Sequence, residues 1–232
     1  MTEHRVRAVN TAATSENKIH DNEVAARYGF RGGLVPGVTV YGYMTAPVLE
    51  RLGPEWLERG TMEARFLQPF YEDELVISQF DGAKVTARKE DGTECGVGSA
   101  ALADDAFVFD PVEEASLPES RPQAVESELE RGRVLGTIRA TAPDSVTPEY
   151  LLALSNEIFV KNFVLGPWIH TGSDVRNLRR VNPGEQIEVR ARVADRFERK
   201  GHQLVTLDVA VLADGVPAQA VRHTAIYRLR AD

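Results

Sequence analysis

The order of apolar and polar positions divides the chain into two stretches that carry the same sequence of elements. The alternation is clearest in IEVRARV and LVTLDVAVL, where an apolar residue at nearly every second position indicates a sheet with one buried face. In the first stretch the pattern predicts a helix over about 36–52 and strands over 5–10, 61–68, 74–80, 83–89 and 94–102. In the second stretch it predicts a helix over 149–164 and strands over 133–142, 168–180, 186–196, 203–212 and 218–229.

Turn and linker signals support this repeat. Asp91-Gly92 and Asp214-Gly215 predict hairpin turns at matching places in the two stretches. A helix with one apolar face needs a sheet to bury it, so each stretch is predicted to be a central helix wrapped by an antiparallel sheet. The expected α+β protein has units at 1–103 and 132–232, joined by a Glu-, Pro- and Ser-rich linker over 104–131.

Composition excludes several classes of function. The net charge of −8 argues against a nucleic-acid groove, which would need a basic stripe. The only cysteine is Cys95, so no disulfide can form within the chain and no cysteine-based metal site is expected. No stretch approaches the roughly 20 apolar residues of a membrane span, and no secretory signal is recognised at the N-terminus. We therefore expect a cytoplasmic protein that does not bind nucleic acid or a membrane.

The candidate chemistry is concentrated in residues 15–37, SENKIHDNEVAARYGFRGGLVPG. His20 is a titratable imidazole, Asn17 offers an amide three residues earlier, and Gly37 opens the predicted helix. A histidine can act as a base near neutral pH, and a helix N-terminus can polarise a carbonyl group. This segment is therefore the predicted active-site loop.

The same segment resembles the signature of the MaoC-like (R)-specific enoyl-CoA hydratases and dehydratases. In that family Asp, Asn, Pro and His precede an acidic residue, an Ala-rich turn, Gly-Phe and a late His-Gly that opens the central helix. The matching positions here are Asn17, His20, Asp21, Ala25, Ala26, Gly29, Phe30 and Gly37, followed by Phe66-x-x-Pro69. The resemblance covers most of 5–102, is looser over 132–229, and implies a double-hotdog fold. Ser15, Lys18 and Pro36 depart from it, standing where the family has Asp, Pro and His.

The resemblance implies reversible hydration or dehydration of an acyl (enoyl) thioester, most naturally linked to coenzyme A. His20 would be the base, Asn17 would position water or substrate, and the Gly37 amide would polarise the thioester carbonyl. Ser15 would be a weak replacement for the missing carboxylate, whose loss can cost several powers of ten in rate. No metal and no cofactor are expected beyond coenzyme A as part of the substrate, and a homodimer is predicted because antiparallel sheets leave edges to cover.

Four neighbours of these residues are candidate substrate contacts: Phe30, Arg31, Pro36 and Tyr41. Arg31 would meet a coenzyme A phosphate, and Tyr41 would line a tunnel. Each candidate has a structural alternative. His20 and Arg31 would then be solvated loop residues, Asn17 a turn residue and Tyr41 a core aromatic.

Two rival functions remain open. The first is a binding protein that kept the acyl pocket and lost catalysis, as the residues at Ser15 and Pro36 suggest. The second is another enzyme on the same scaffold, a thioesterase using Glu157 or a tailoring enzyme for a non-thioester substrate. Asn156 and His170 are further candidates in the second half, whereas His202 and His223 receive no role.

Overall fold

Ten antiparallel strands form one continuous sheet in the computed structural model, which describes residues 1–230. Positions 231 and 232 of the predicted C-terminal unit lie outside the described residues. The strands are β1 (Thr2–Arg7), β2 (Gly60–Phe66), β3 (Leu75–Phe80), β4 (Lys84–Arg88), β5 (Glu94–Leu102), β6 (Ile138–Thr141), β7 (Ile169–Asn177), β8 (Gln186–Arg199), β9 (His202–Ala213) and β10 (Val216–Arg228). The helices are α1 (Asn22–Arg27), α2 (Gly37–Leu52), α3 (Trp56–Arg59) and α4 (Pro148–Asn162), with 3₁₀ turns at Lys18–His20 and Glu126–Glu128.

The two halves of the sheet repeat one strand order. From its outer edge inward the first half runs β1-β3-β4-β5-β2, and the second runs β6-β8-β9-β10-β7. The halves join where β2 pairs with β7, from Thr61 opposite Arg176 to Arg65 opposite Gly172. The repeat predicted from the sequence is present, but the two sheets are fused into one.

The long helices α2 and α4 contact each other and pack on the inner face of the sheet. In α2 the fully buried side chains of Tyr41, Met44 and Val48 follow the spacing of one helix face. The strands show the matching alternation, since Ile187, Val189, Ala191 and Val193 of β8 are all buried. Each helix thus hides an apolar face that it could not bury alone.

Most predicted elements are observed, with boundaries that shift by a few residues. The predicted helix over 36–52 is α2, and the strand over 94–102 is β5. The strand predicted over 133–142 is shorter in the structure, where β6 begins at Ile138, because the backbone at Gly136 packs against Ser116 and Leu117 of the linker. A Cβ on Gly136 would approach Leu117 Cα to 2.5 Å, and the Gly136 amide instead bonds the Asn162 side chain. The short helices α1 and α3 were not predicted.

Residues 104–131 contain one 3₁₀ turn and no strand or α-helix. Part of this segment packs on the outer face of the sheet, where Val112 is buried against Ala210 and Leu212. Arg139 of β6 pairs with Glu114 at 2.5 Å and ties the segment to the sheet edge. Across residues 1–230, none of the helices has both the length and the apolar character needed to span a membrane.

Candidate active site

The loop between β1 and α2 is held in place by contacts between its two arms. The Leu34 N–H donates to Ile19 O at 3.2 Å, and the Asp21 side chain caps α1. Gly33 is required at its position, because a Cβ there would lie 2.0 Å from the carbonyl oxygen of His20. These contacts fix the backbone of His20 relative to the start of α2.

Two hydrogen bonds set the tautomer of His20. Its Nδ1 lies 2.6 Å from Leu34 O, and its Nε2 lies 3.2 Å from Asn17 Nδ2. A carbonyl oxygen can only accept and an amide nitrogen only donates, so Nδ1 carries the proton and Nε2 the lone pair. Burial lowers the pKa of His20, while the bond to Leu34 O acts in the opposite direction. The imidazole is therefore neutral near pH 7, with Nε2 as its basic atom.

Asn17 connects this loop to the second half of the chain. Its Nδ2 donates to Trp168 O at 2.7 Å, and its Oδ1 accepts from Trp168 N–H at 3.1 Å. Because both main-chain groups of Trp168 are engaged, the amide has one orientation, and the second Nδ2 hydrogen is directed to His20. The imidazole is thus oriented from both halves of the molecule.

A cavity of about 290 Å³ opens beside His20 and is lined by both halves. Within residues 1–230 its lining includes no Asp or Glu, so its polar groups are those of histidines, of neutral side chains such as Asn17 and Asn156, and of the main chain. The lining includes Asn17, His20, Phe30, Pro36, Gly37 and Phe66 from the first half, and Asn156, Trp168, His170 and His202 from the second.

The N-terminus of α2 also opens onto this cavity. Gly37 is the first residue of the helix, so its N–H has no acceptor within the helix, and Pro36 provides no side-chain cap. At the equivalent helix start in the second half, Thr147 caps α4, and the cavity beside it measures only about 10 Å³. The repeated fold therefore offers one open helix N-terminus rather than two.

Two larger clefts, of about 740 and 810 Å³, lie on the outer face of the sheet. Their charged side chains pair with one another: Arg192 binds Asp110, and Arg222 lies 2.9 Å from Asp208. These clefts lack a buried titratable group next to an open helix end. We therefore place the candidate site in the smaller cavity.

The structure brings together five of the eight residues singled out in the sequence. His20, Asn17, Phe30, Pro36 and Gly37 line one cavity.

The other three residues lie elsewhere. The Ser15 hydroxyl donates to Asn17 O at 3.2 Å. Tyr41 is fully buried in the core, where burial raises the pKa of its hydroxyl. Arg31 stacks over the Tyr71 ring and pairs with Glu74.

The carboxylates close to His20 in sequence have other partners. Glu16 pairs with Arg121 at 2.9 Å, and Asp21 accepts from Val24 N–H as the cap of α1. Ser15 does not replace a carboxylate at the ring, because its hydroxyl bonds the main chain. Within residues 1–230 the orienting role expected of a carboxylate falls to Leu34 O, and no acidic side chain there pairs with His20.

Sequence reasoning missed several residues of the site. Trp168 lies 151 positions from Asn17, so no local pattern could have paired them. Ser173 and His223 form a buried chain with His170, although His223 had been assigned no role. No group of three or more His, Cys, Asp or Glu side chains in the described part of the molecule is arranged to hold a metal ion.

Comparisons with known proteins agree on the fold. Neither the protein-family models nor the curated proteins include a match to this chain. Among solved structures, a candidate MaoC-domain dehydratase from Chloroflexus aurantiacus J-10-fl is 8% identical, with 100% of this chain and 96% of that chain covered and a TM-score of 0.65. A conserved hypothetical double-hotdog protein from Mycobacterium tuberculosis is 10% identical, with coverages of 97% and 96% and a TM-score of 0.63.

The chain has a double-hotdog fold. A candidate oleoyl thioesterase from Lactobacillus plantarum is also similar, with 12% identity, coverages of 100% and 97% and a TM-score of 0.57. At these identities the likeness is one of fold, because one fold carries many activities. The double hotdog expected from the sequence is thus confirmed, and so is the likeness to hotdog proteins.

Proposed function

We propose that this protein catalyses the reversible hydration of an enoyl thioester, most naturally linked to coenzyme A. The observation that carries the proposal is the state of His20, a neutral imidazole with its tautomer fixed, which lines the same cavity as the open start of α2. A neutral base next to helix N–H groups suits a reaction that moves a proton and develops charge on a carbonyl oxygen.

In the direction of hydration, a water oxygen attacks the β-carbon while His20 Nε2 takes one of its protons. The electron pair of the double bond moves toward the thioester carbonyl, whose oxygen becomes negative. Gly37 N–H and the positive end of the α2 dipole would stabilise that oxygen. The protonated Nε2 then gives its proton to the α-carbon, and the neutral imidazole is restored.

Asn17 shortens the time for which His20 Nε2 keeps its proton. In the resting site its Nδ2 donates to the lone pair of Nε2. When Nε2 is protonated, two donors face each other, and the part of the cavity lining formed by residues 1–230 offers no carboxylate that would stabilise the imidazolium. The proton is therefore held briefly and passed on to the α-carbon. This arrangement makes His20 a weak base but a ready proton donor.

The volume of the cavity limits the size of the acyl group. A water molecule occupies about 30 Å³ in the liquid, so 290 Å³ accommodates about ten non-hydrogen atoms. That is room for a thioester group and a short acyl chain, which Phe66 and Trp168 would contact. A carrier such as coenzyme A would have to remain outside the cavity.

A second candidate function is an acyl-thioester-binding protein without catalysis. The contact of Ser15 favours it, because its hydroxyl bonds the main chain and no carboxylate among residues 1–230 lines the cavity beside His20. A thioesterase that uses Glu157 has less support, because Glu157 is exposed on α4 and lies outside the lining of the cavity in the described residues.

These alternatives are separated by incubating the protein with crotonyl-coenzyme A. We expect loss of the enoyl absorbance without release of free thiol, and a loss of 10²–10⁴-fold in rate for His20→Ala. The control is His4→Ala, at a histidine of β1 outside the cavity lining, which should retain most activity. Thiol release would indicate a thioesterase. Binding without turnover in wild type would indicate the non-catalytic alternative.

A further inference from the structure

A β-bulge in β7 places two side chains on the same face of the sheet. Against β10, Gly172 pairs with Thr224 and His170 pairs with Ala225, so Thr171 is an extra residue in β7. Residues three apart in a regular strand point to opposite faces, but the extra residue turns both His170 and Ser173 inward. The bulge lies at the cavity, which Thr171 also lines.

Ser173 links His170 to a second histidine. His223 is directly opposite Ser173 on β10. The Ser173 Oγ lies 2.8 Å from His170 Nε2 and 3.0 Å from His223 Nδ1, and the two rings stack with centroids 4.1 Å apart. All three residues are at least nine-tenths buried, so the chain His170–Ser173–His223 is closed to bulk water.

One nitrogen of this chain lies at the start of α2 without a partner. Like His223 Nε2 at the other end of the chain, His170 Nδ1 is buried and makes no hydrogen bond within the described residues. It is close to Gly37, because a Cβ added to Gly37 would lie only 2.8 Å from it. A buried polar atom without a partner is destabilising, so its presence at an open helix end calls for a ligand atom.

The positions of the protons along the hydrogen-bonded chain His170–Ser173–His223 can be deduced by counting donors. Burial lowers the pKa of His170 and of His223, to about 3 for the latter, so both rings are neutral. Ser173 has one hydroxyl proton to donate, and therefore one of the two rings must donate to it. If His223 Nδ1–H donates to Ser173, then Ser173 donates to His170 Nε2, and the proton of His170 is on Nδ1. A carbonyl oxygen beside Gly37 would select this arrangement.

We propose that His170 is a second hydrogen-bond donor to the thioester carbonyl, with its Nδ1–H acting beside the Gly37 amide. Ser173 and His223 act as positioning residues that keep Nδ1 protonated. The inference rests on the proposed thioester substrate, but it does not require that the protein hydrate it. The neutral ring stabilises charge on the oxygen without itself giving up a proton.

The experiment uses butyryl-coenzyme A with a ¹³C-labelled carbonyl, a saturated probe that cannot be hydrated. Isotope-edited infrared spectroscopy measures the carbonyl stretch of the bound probe, which shifts to lower frequency as donors polarise the group. His170→Phe removes both ring nitrogens, and His170→Gln moves the amide away from the Nδ1 position. His170→Asn places an amide close to the Nδ1 position, and His4→Phe is the control, at a histidine of β1 outside the cavity lining.

We expect the low-frequency shift in wild type, His4→Phe and, in part, His170→Asn, and its loss in His170→Phe and His170→Gln. In turnover with crotonyl-coenzyme A, losing one such donor should reduce kcat by about 10²–10³-fold. An unchanged shift in both the Phe and Gln variants would overturn the role of His170. Absence of turnover with a His170-dependent shift would overturn the hydratase proposal alone. Failure of the probe to bind would overturn both.

Discussion

Replacing Asn17 by alanine tests whether one side chain joins the two halves at the site. Asn17 is buried and makes three hydrogen bonds, two with the main chain of Trp168 and one with His20. Asn17→Ala removes all three and leaves the N–H and C=O of Trp168 without these partners. The loop that carries His20 would then be attached to the second half by fewer contacts.

The expected loss in the free energy of unfolding follows from the number of hydrogen bonds that are removed. A hydrogen bond contributes about 1 kcal/mol to stability, so three of them predict a loss of about 3 kcal/mol in the free energy of unfolding. The control is Asn156→Ala, which removes a single bond at 2.9 Å from Nε1 of the same Trp168. Its expected loss is about 1 kcal/mol.

Urea unfolding followed by tryptophan fluorescence measures both variants. The same substitution should also raise the pKa of His20, because a donor facing Nε2 is removed and water can enter, and an NMR titration reports this shift. A loss for Asn17→Ala no larger than that for Asn156→Ala would refute the bridging role. An unchanged His20 pKa would refute the contact with Nε2.

Three further predictions concern His223, Gly33 and Asn17. Burial lowers the pKa of His223 to about 3, so below pH 6.5 the unfolded state binds more protons than the folded state. The free energy of unfolding therefore decreases as the pH is lowered through this range. The stabilising contribution of the neutral His223 is fully present only well above pH 6.5. Between pH 6.5 and 4.5 this one group should lower the free energy of unfolding by about 2 kcal/mol in urea unfolding, a pH dependence that His223→Phe should reduce. Gly33→Ala should destabilise the loop by about 1–3 kcal/mol through its clash, whereas Gly166→Ala, with open space around it, should be neutral in thermal melts. Asn17→Asp should raise the pKa of His20 in an NMR titration, because an acceptor then faces Nε2.

The fold is largely readable from the sequence because its pattern is local. The apolar face of α2 and the alternation of β8 depend on residues close in the chain. The single buried face expected for β9 is wrong, because residues 209–213 are buried on both faces, and the linker segment at Val112 covers the outer one. The Asp214-Gly215 turn is equally local, and both residues have positive φ, as the predicted hairpin turn requires. The fusion of two sheets through β2 and β7 is a long-range pairing, which no periodicity reveals.

The candidate site is less predictable, because its decisive contacts cross the two halves. The loop sequence is enough to select His20 and Asn17, but their orientation depends on Leu34 O and on Trp168. Nothing in the spacing of His170 and Ser173 indicates that they share a face, because only the bulge at Thr171 puts them there. A bulge is a property of strand pairing rather than of one strand.

The clearest test of His20 as the base is to hydrate crotonyl-coenzyme A in D₂O and analyse the product by mass spectrometry. The proposed cycle predicts one solvent deuterium on the α-carbon of the 3-hydroxyacyl product, formed rapidly by wild type and at least 10²-fold more slowly by His20→Gln. Product formation at the same rate by both proteins, or no product from wild type that binds the thioester, would contradict the assignment of His20.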